Sequence, residues 1–281
     1  MRGKALPFHI QQNTSPEVLR AILARCYDGR VTISDLAQEL AMCLGTVQHI
    51  VPFVRQSGLL NSTGLSLTDL GAQFYHFSQQ SPDMLAEAMH HLLYTAHTFD
   101  PTKRFSWAYA RVVDALWARG DCILDRQTTA ELVGMVVEEA SQKFGVPVEK
   151  IAFSHNSVRG VLNWLRALEP SVIEREDKSN RFRRRHFCSP SVFLWAVDFI
   201  YRAHCTAHGV RMFLTPERIE QLCKLCVLDP SGLENVLMMV KRTSDYDRGG
   251  VFDYGTEGGF GRWILLTRPC PVPTFPEGNW R

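Results

Sequence analysis

A ten-residue pattern recurs three times with its apolar positions in register, which limits the chain to architectures that bury the same helical face repeatedly. Thr46-Val-Gln-His-Ile-Val-Pro-Phe-Val-Arg55 aligns without gaps on Ser157-Val-Arg-Gly-Val-Leu-Asn-Trp-Leu-Arg166 and on Gly232-Leu-Glu-Asn-Val-Leu-Met-Met-Val-Lys241. Val47, Ile50, Val51 and Val54 correspond to Val158, Val161, Leu162 and Leu165, and to Leu233, Val236, Leu237 and Val240. The spacing i, i+3, i+4, i+7 puts each set on one face of an α-helix. Each copy is followed by a stretch that reads as a β-hairpin, at 59–67, 172–187 and 251–267. Ordinary amphipathic helices would share the apolar positions, so true repetition and common periodicity both stay open.

The surroundings of the first copy are the most explicit. Ser15-Pro16-Glu17 supplies an N-cap, a first-turn proline and an acid at the positive end of a helix expected over 15–26. Thr32 and Asp35 have the spacing of a capping box, with Leu36, Ala37 and Leu40 facing inward behind it. A turn at 42–45 leads into the helix of the first copy, where Pro52 is expected to bend or shorten it. Leu59-Leu60, a turn around Gly64, Leu65-Ser-Leu67 and a cap at Thr68 follow.

Three helices and a hairpin worded TISDLAQELAMCLGTVQHIV…LSLTDLG resemble the winged-helix superfamily of bacterial DNA-binding proteins over residues 15–77. The resemblance implies a mainly α fold of several winged helix-turn-helix units with small β-hairpin wings. We therefore expect units at 1–80, 126–190 and 191–281, with 81–125 a helical connector. Helices are expected at 84–95, 105–118 and 128–144, and a long one from Ser189-Pro190 to about His208. Phe193, Trp195, Val197, Ile200 and Tyr201 leave that last helix little polar face, so it should be covered by another domain or by a second subunit, as in a homo-oligomer. The succession Leu67-Thr-Asp-Leu-Gly71, Asp83-Met-Leu, Met89-His-His-Leu-Leu93 and Phe105-Ser-Trp-Ala-Tyr109 is similar to an uncharacterised bacterial winged-helix family encoded beside sulfur-based DNA modification and phage-defence genes. That second resemblance implies an accessory protein of such an assembly.

Charge is concentrated in the second copy. Residues 154–188 hold eight Lys or Arg against four Asp or Glu, a surplus larger than the +2 of all 281 residues. A hairpin returning through 181–187 would put Arg181, Arg183 and Arg185 on one face about 6.5–7 Å apart, with Arg184 beside them, a spacing suited to phosphates or a narrow minor groove. Neutralisation by Glu174, Glu176 and Asp177 on the facing strand is the competing reading. Thr46, Gln48 and His49 in the first helix, and Asn156, Ser157, Arg159 and Asn163 in the second, are the other candidate DNA contacts, against the alternative of a solvated helix face. The third helix offers Glu234, Asn235, Met238 and Met239, which suit a protein contact better than phosphate.

Phosphate-loop, nucleophile-elbow, zinc-protease and dinucleotide motifs are all missing from the sequence, so we expect neither an enzyme nor a cofactor. His204, His208, Cys223 and Cys226 have the form of a zinc site, but the repeat places Cys223 and Cys226 on inward positions, so core thiols rather than a metal are expected. The start of the chain turns polar at Gln11, before an export signal could form, and no run is long and uncharged enough for a membrane span. Eight scattered cysteines read as reduced thiols. The expectation is a cytoplasmic protein whose partner is double-stranded DNA, the alternative being a scaffold that docks other proteins through the same units.

Overall fold

The computed structural model describes residues 6–29, 31–81, 84–176, 179–244, 249–259 and 261–270, and in it helices begin after the expected caps Ser15, Thr32 and Thr68. A short strand, β1 (Leu6–Pro7), precedes α1 (Pro16–Asp28), whose Ser15 hydroxyl accepts from the Val18 N–H. Thr32 and Asp35 cap α2 (Ile33–Glu39) reciprocally: the Asp35 N–H donates to Thr32 Oγ1 at 3.2 Å, and the Thr32 N–H to Asp35 Oδ2 at 2.8 Å. In α3 (Leu44–Gln56) the four repeat positions are buried. The shortening expected at Pro52 does not occur, and the helix continues another turn. Pro52 and Gln48, whose carbonyl loses its donor, are both exposed, so the missing bond leaves no buried polar group unpaired. Leu60 and Leu67 then form an antiparallel bridge around Gly64, and Thr68 caps α4 (Asp69–Gln80).

The remaining order is α5 (Leu85–Phe99), α6 (Arg104–Arg119), β2 (Cys122–Ile123), α7 (Arg126–Phe144), β3 (Ile151–Ala152), α8 (His155–Arg166), β4 (Ile173–Glu176), β5 (Ser179–Phe182), α9 (Pro190–Ala203), β6 (Met212–Phe213), α10 (Pro216–Leu225), α11 (Leu233–Ser244), β7 (Phe252–Glu257) and β8 (Gly261–Leu266). Two three-stranded sheets share one plan. In each, a short strand lying between helices pairs with the last strand of the hairpin that follows two more helices: β2-β5-β4 and β6-β8-β7. The segment expected as a connector, 81–125, thus contributes β2 to the second hairpin's sheet. All twelve aligned apolar positions of the three helices are in the core, as both true repetition and ordinary amphipathicity require.

One hydrophobic core runs through the described residues from Phe8 to Leu266. Its centre is α5, which buries even Glu87, His90 and His91 against α6 and α9. The apolar face of α9 is covered from within the chain, the first of the two alternatives expected for it, so cover by a second subunit is not needed around Trp195. Phe77 packs edge-on to Trp195 at 5.6 Å and Phe99 edge-on to Phe199 at 5.7 Å, leaving Trp195 4% exposed. The helix also stops at Ala203, short of His208. Among the described residues no helix is long and apolar enough to cross a membrane.

The first residues act as a strap. β1 pairs in parallel with β3, and Phe8 and Ile10 beyond it are fully buried. Phe8 meets Phe144 at 5.4 Å and Trp107 at 6.1 Å, both edge-on. Ile10 lies on α8 at Gly160, where any Cβ would sit 2.5 Å from the Ile10 carbonyl oxygen. Gly160→Ala must therefore push the strap away, with an expected loss of about 1–3 kcal/mol. Urea unfolding and limited proteolysis near residues 6–13 would register it; unchanged stability and an unchanged digest would mean that the strap is not held there.

Candidate nucleic-acid interface

Arg181 and Arg183 of the basic hairpin are electrically satisfied. Pairing β4 with β5 sets Glu174 opposite Arg181. Arg181 forks onto Asp121, with Nη2 2.9 Å from Oδ2, and reaches Glu176 at 3.3 Å. Arg183 meets Asp121 at 3.2 Å, Glu174 at 3.0 Å and Glu176 at 2.8 Å. Hydrogen bonds from Arg181, then Arg183, hold the Asp121 carboxyl below the usual carboxylate range. Cross-strand neutralisation by Glu174 and Glu176 is thus the arrangement present, completed by Asp121, sixty residues before Arg181, while Asp177 lies outside the described residues.

Arg184 and Arg185 leave that face. The strand ends at Phe182, so alternation stops there. Arg184 lies over the Trp117 ring at 4.2 Å, donates to the Trp117 carbonyl at 2.7 Å and approaches Asp229 at 3.5 Å. Arg185 turns fully inward. Its side chain is 1% exposed and binds Glu87 through both carboxylate oxygens, at 2.5 and 3.0 Å, with further bonds to the carbonyls of Cys226 and Glu169. Expected as an outward contact, Arg185 is a core residue, because its guanidinium compensates a buried carboxylate.

On α8 the outward residues are His155, Asn156, Arg159 and Arg166. Ser157, expected among them, is buried: its hydroxyl accepts from the Ser154 N–H at 3.2 Å and lies 2.7 Å from His9 Nδ1. Asn163 is half-buried and donates to the Gln12 carbonyl at 2.6 Å. These two side chains fasten the strap to the helix, with Gly160 between them.

Beside them opens a cleft of about 640 Å³ between the start of α7 and the length of α8, closed by Gln12 and Asn180. Arg126, Arg159 and Arg166 line it, with His155. Among the described residues Arg126 and Arg159 have no ion pair, and Arg166 bonds only to the amide oxygens of Asn163 (3.2 Å) and Asn180 (3.4 Å). The one carboxylate in the lining, Asp125, caps α7 by accepting from the Thr128 N–H at 2.7 Å, and that bond lowers its pKa. Three guanidinium groups therefore face solvent against a single carboxylate already committed to a helix end. Of these three, sequence reasoning had singled out only Arg159, since the others reach the cleft from the start of α7 and the end of α8.

A second cleft, of about 590 Å³, runs along α3 and is lined by His9, Gln11, His49, Arg55 and Gln56 among others. Gln48 and His49 are exposed, as expected of contacts on this helix, whereas Thr46 is half-buried with its hydroxyl 2.9 Å from Cys43 Sγ. Arg55 ties the end of α3 to the following loop by donating to the carbonyls of Asn61 (2.8 Å) and Gly64 (2.7 Å). Burial, then the neighbouring His49, lowers the pKa of His9.

The residues with zinc spacing are dispersed. Cys223 and Cys226 are buried in the core beside α9, and burial pushes the Cys223 thiol up to about 12. His204 pairs with Gln221 at 3.2 Å and His208 with Asp198 at 2.8 Å. Among the described residues no group of three or more His, Cys, Asp or Glu is disposed to hold a metal ion. All eight cysteines are free thiols. In comparisons of the whole chain with known proteins, no family model, no curated protein and no solved structure matches it.

Proposed function

We propose that this protein binds double-stranded DNA through the outer face of α8, as a regulator or as a recognition subunit of a DNA-modification or phage-defence assembly. The order helix, strand, helix, helix, hairpin, with the first strand against the last, occurs at 104–182 and again at 190–266, and supports reading both as winged-helix units. Residues 16–67 follow the same order without the first strand.

The observation that carries the proposal is the cleft along α8, where Arg126, Arg159 and Arg166 meet one carboxylate, Asp125, that is already engaged. Guanidinium groups without acidic partners keep their attraction for phosphate, and each phosphate they neutralise releases condensed counterions. Arg181 and Arg183, by contrast, would first have to surrender Asp121, Glu174 and Glu176. The alternative of a protein-docking scaffold loses its main support with Trp195 enclosed in the chain.

Changing Arg126, Arg159 and Arg166 together to Ala is expected to weaken binding to random duplex at least about tenfold and to flatten its salt dependence by up to about 3 logarithmic units per logarithmic unit of salt. Arg181→Ala with Arg183→Ala should change affinity by less than about threefold, a free-energy change of roughly 0.6 kcal/mol. Gel-shift titrations at two salt concentrations measure both. Wild-type affinity with a wild-type salt slope in the triple variant would refute the proposal.

A further inference from the structure

The two clefts described above lie on either side of the same few residues. His9 and Gln11 of the strap line the cleft along α3, and Gln12, the next residue, lines the cleft along α8. His9 joins both sides, since its ring opens onto the α3 cleft near His49 while its Nδ1 lies 2.7 Å from Ser157 Oγ of α8. The strap is fixed to α8 by Asn163 and by the close approach at Gly160, so the residues that line the two clefts are held in place on one support. The charge is predominantly positive, since Asp125, held by the Thr128 N–H, is the one carboxylate lining either cleft among the described residues. The α3 cleft is lined by no carboxylate among the described residues, and its Arg55 donates only to backbone carbonyls.

We infer that the α3 and α8 clefts form a single groove, with the strap as its floor, and that one DNA duplex occupies both at once. The inference rests on the DNA-binding reading of α8 and extends it to a second helix and to a footprint. Two helices of about 10 Å diameter with one extended strand between them span on the order of 25 Å. At about 3.4 Å per base pair this corresponds to roughly seven or eight base pairs. A duplex shorter than that fills only the more strongly charged α8 side. Longer DNA gains the contacts of Gln48 and His49, which are exposed on α3.

The test compares two probes, a duplex of about 16 base pairs and a loop-closed stem of about six, the second being too short to reach both helices. Gln48→Glu combined with His49→Glu introduces repulsion on α3 at two exposed positions. Asn235→Glu, exposed on α11, is the control for added charge. The double variant should weaken the long duplex about tenfold or more and the short stem by less than about twofold, while Arg159→Ala weakens both probes and Asn235→Glu neither. Melting temperatures of all variants should stay near wild type, which excludes unfolding as the cause. If Arg159→Ala weakens binding but the α3 variant leaves the long duplex unaffected, the shared groove is wrong and the α8 site stands. Equal losses on both probes in the α3 variant would also overturn the shared groove. If neither variant changes the affinity of either probe, the DNA-binding reading fails with it.

Discussion

Replacing Glu87 by Ala is expected to destabilise the protein by about 3–5 kcal/mol, because it leaves the Arg185 guanidinium charged and unpaired in the core. Glu87 and Arg185 are 1% and 4% exposed. Their two-point pairing links α5 to the segment after β5, and Arg185 also binds the Cys226 carbonyl at 2.7 Å while Glu87 accepts the Glu169 N–H at 3.0 Å. Arg185→Ala should cost a similar amount by the converse argument, a buried carboxylate without its cation. The cost belongs to the broken pair rather than to the lost side chain, so changing both residues to Met should recover much of the stability. Urea unfolding midpoints of the two single variants and the double variant decide this. Single variants within about 1 kcal/mol of wild type would mean that water reaches the pair.

Mild acid should act almost as strongly, through α5 again. Burial pushes the pKa of His90 down to about 4 and that of His91 down to about 3. In the unfolded chain both imidazoles titrate near 6.5, so below that pH the unfolded state takes up protons that the folded state refuses. The stability is therefore complete above about pH 6.5 and is lost as pH falls toward the folded values. Each pH unit in that window costs about 1.4 kcal/mol per histidine, which makes the pair worth about 5 kcal/mol by roughly pH 4.5. Glu87 adds to this at lower pH. Burial alone would raise its carboxyl, but the charge and hydrogen bonds of Arg185 outweigh burial and hold it below its usual range, so its contribution disappears as acid protonates it. Thermal melts between pH 7.5 and 4.5 should show the fall, and His91→Phe should make it shallower. The His91 ring lies tilted against Trp195 at 6.1 Å and edge-on to Phe199 at 6.3 Å, so an apolar ring is a fair replacement. A melting temperature that stays level across this range would contradict the argument.

What was readable in the sequence was local. The caps at Ser15, Thr32 and Thr68 lie within three residues of the N–H groups they satisfy, and the four inward positions of each repeated helix follow from the helical period alone. The wrong or missing parts depended on partners far along the chain. Alternation assigned Arg185 an outward face, but the strand had already ended, and the carboxylate that draws it inward is 98 residues earlier. Arg181 and Arg183 looked available because Asp121 lay outside the segment whose charges were compared. Ser157 sits at a position that is solvated on an isolated helix, and it is buried because the strap, 148 residues away in sequence, crosses the helix there. The same crossing makes the cleft residues Gln12 and Asn163 neighbours. No periodicity encodes such a meeting.

The strap also sets an order of events during synthesis. Phe8 and Ile10 are among the most enclosed apolar residues in the protein, yet Gly160 and the strand at Ile151–Ala152 that receive them emerge about 145 residues later. At translation rates of about 5–20 residues per second, the interval is roughly 7–30 s. The helices at 16–56 can assemble in that time, since all their mutual contacts are within reach, but the preceding segment has no seat. An early-made piece of the core must therefore wait, solvated and open to chaperones and proteases, until the middle of the chain arrives to receive it.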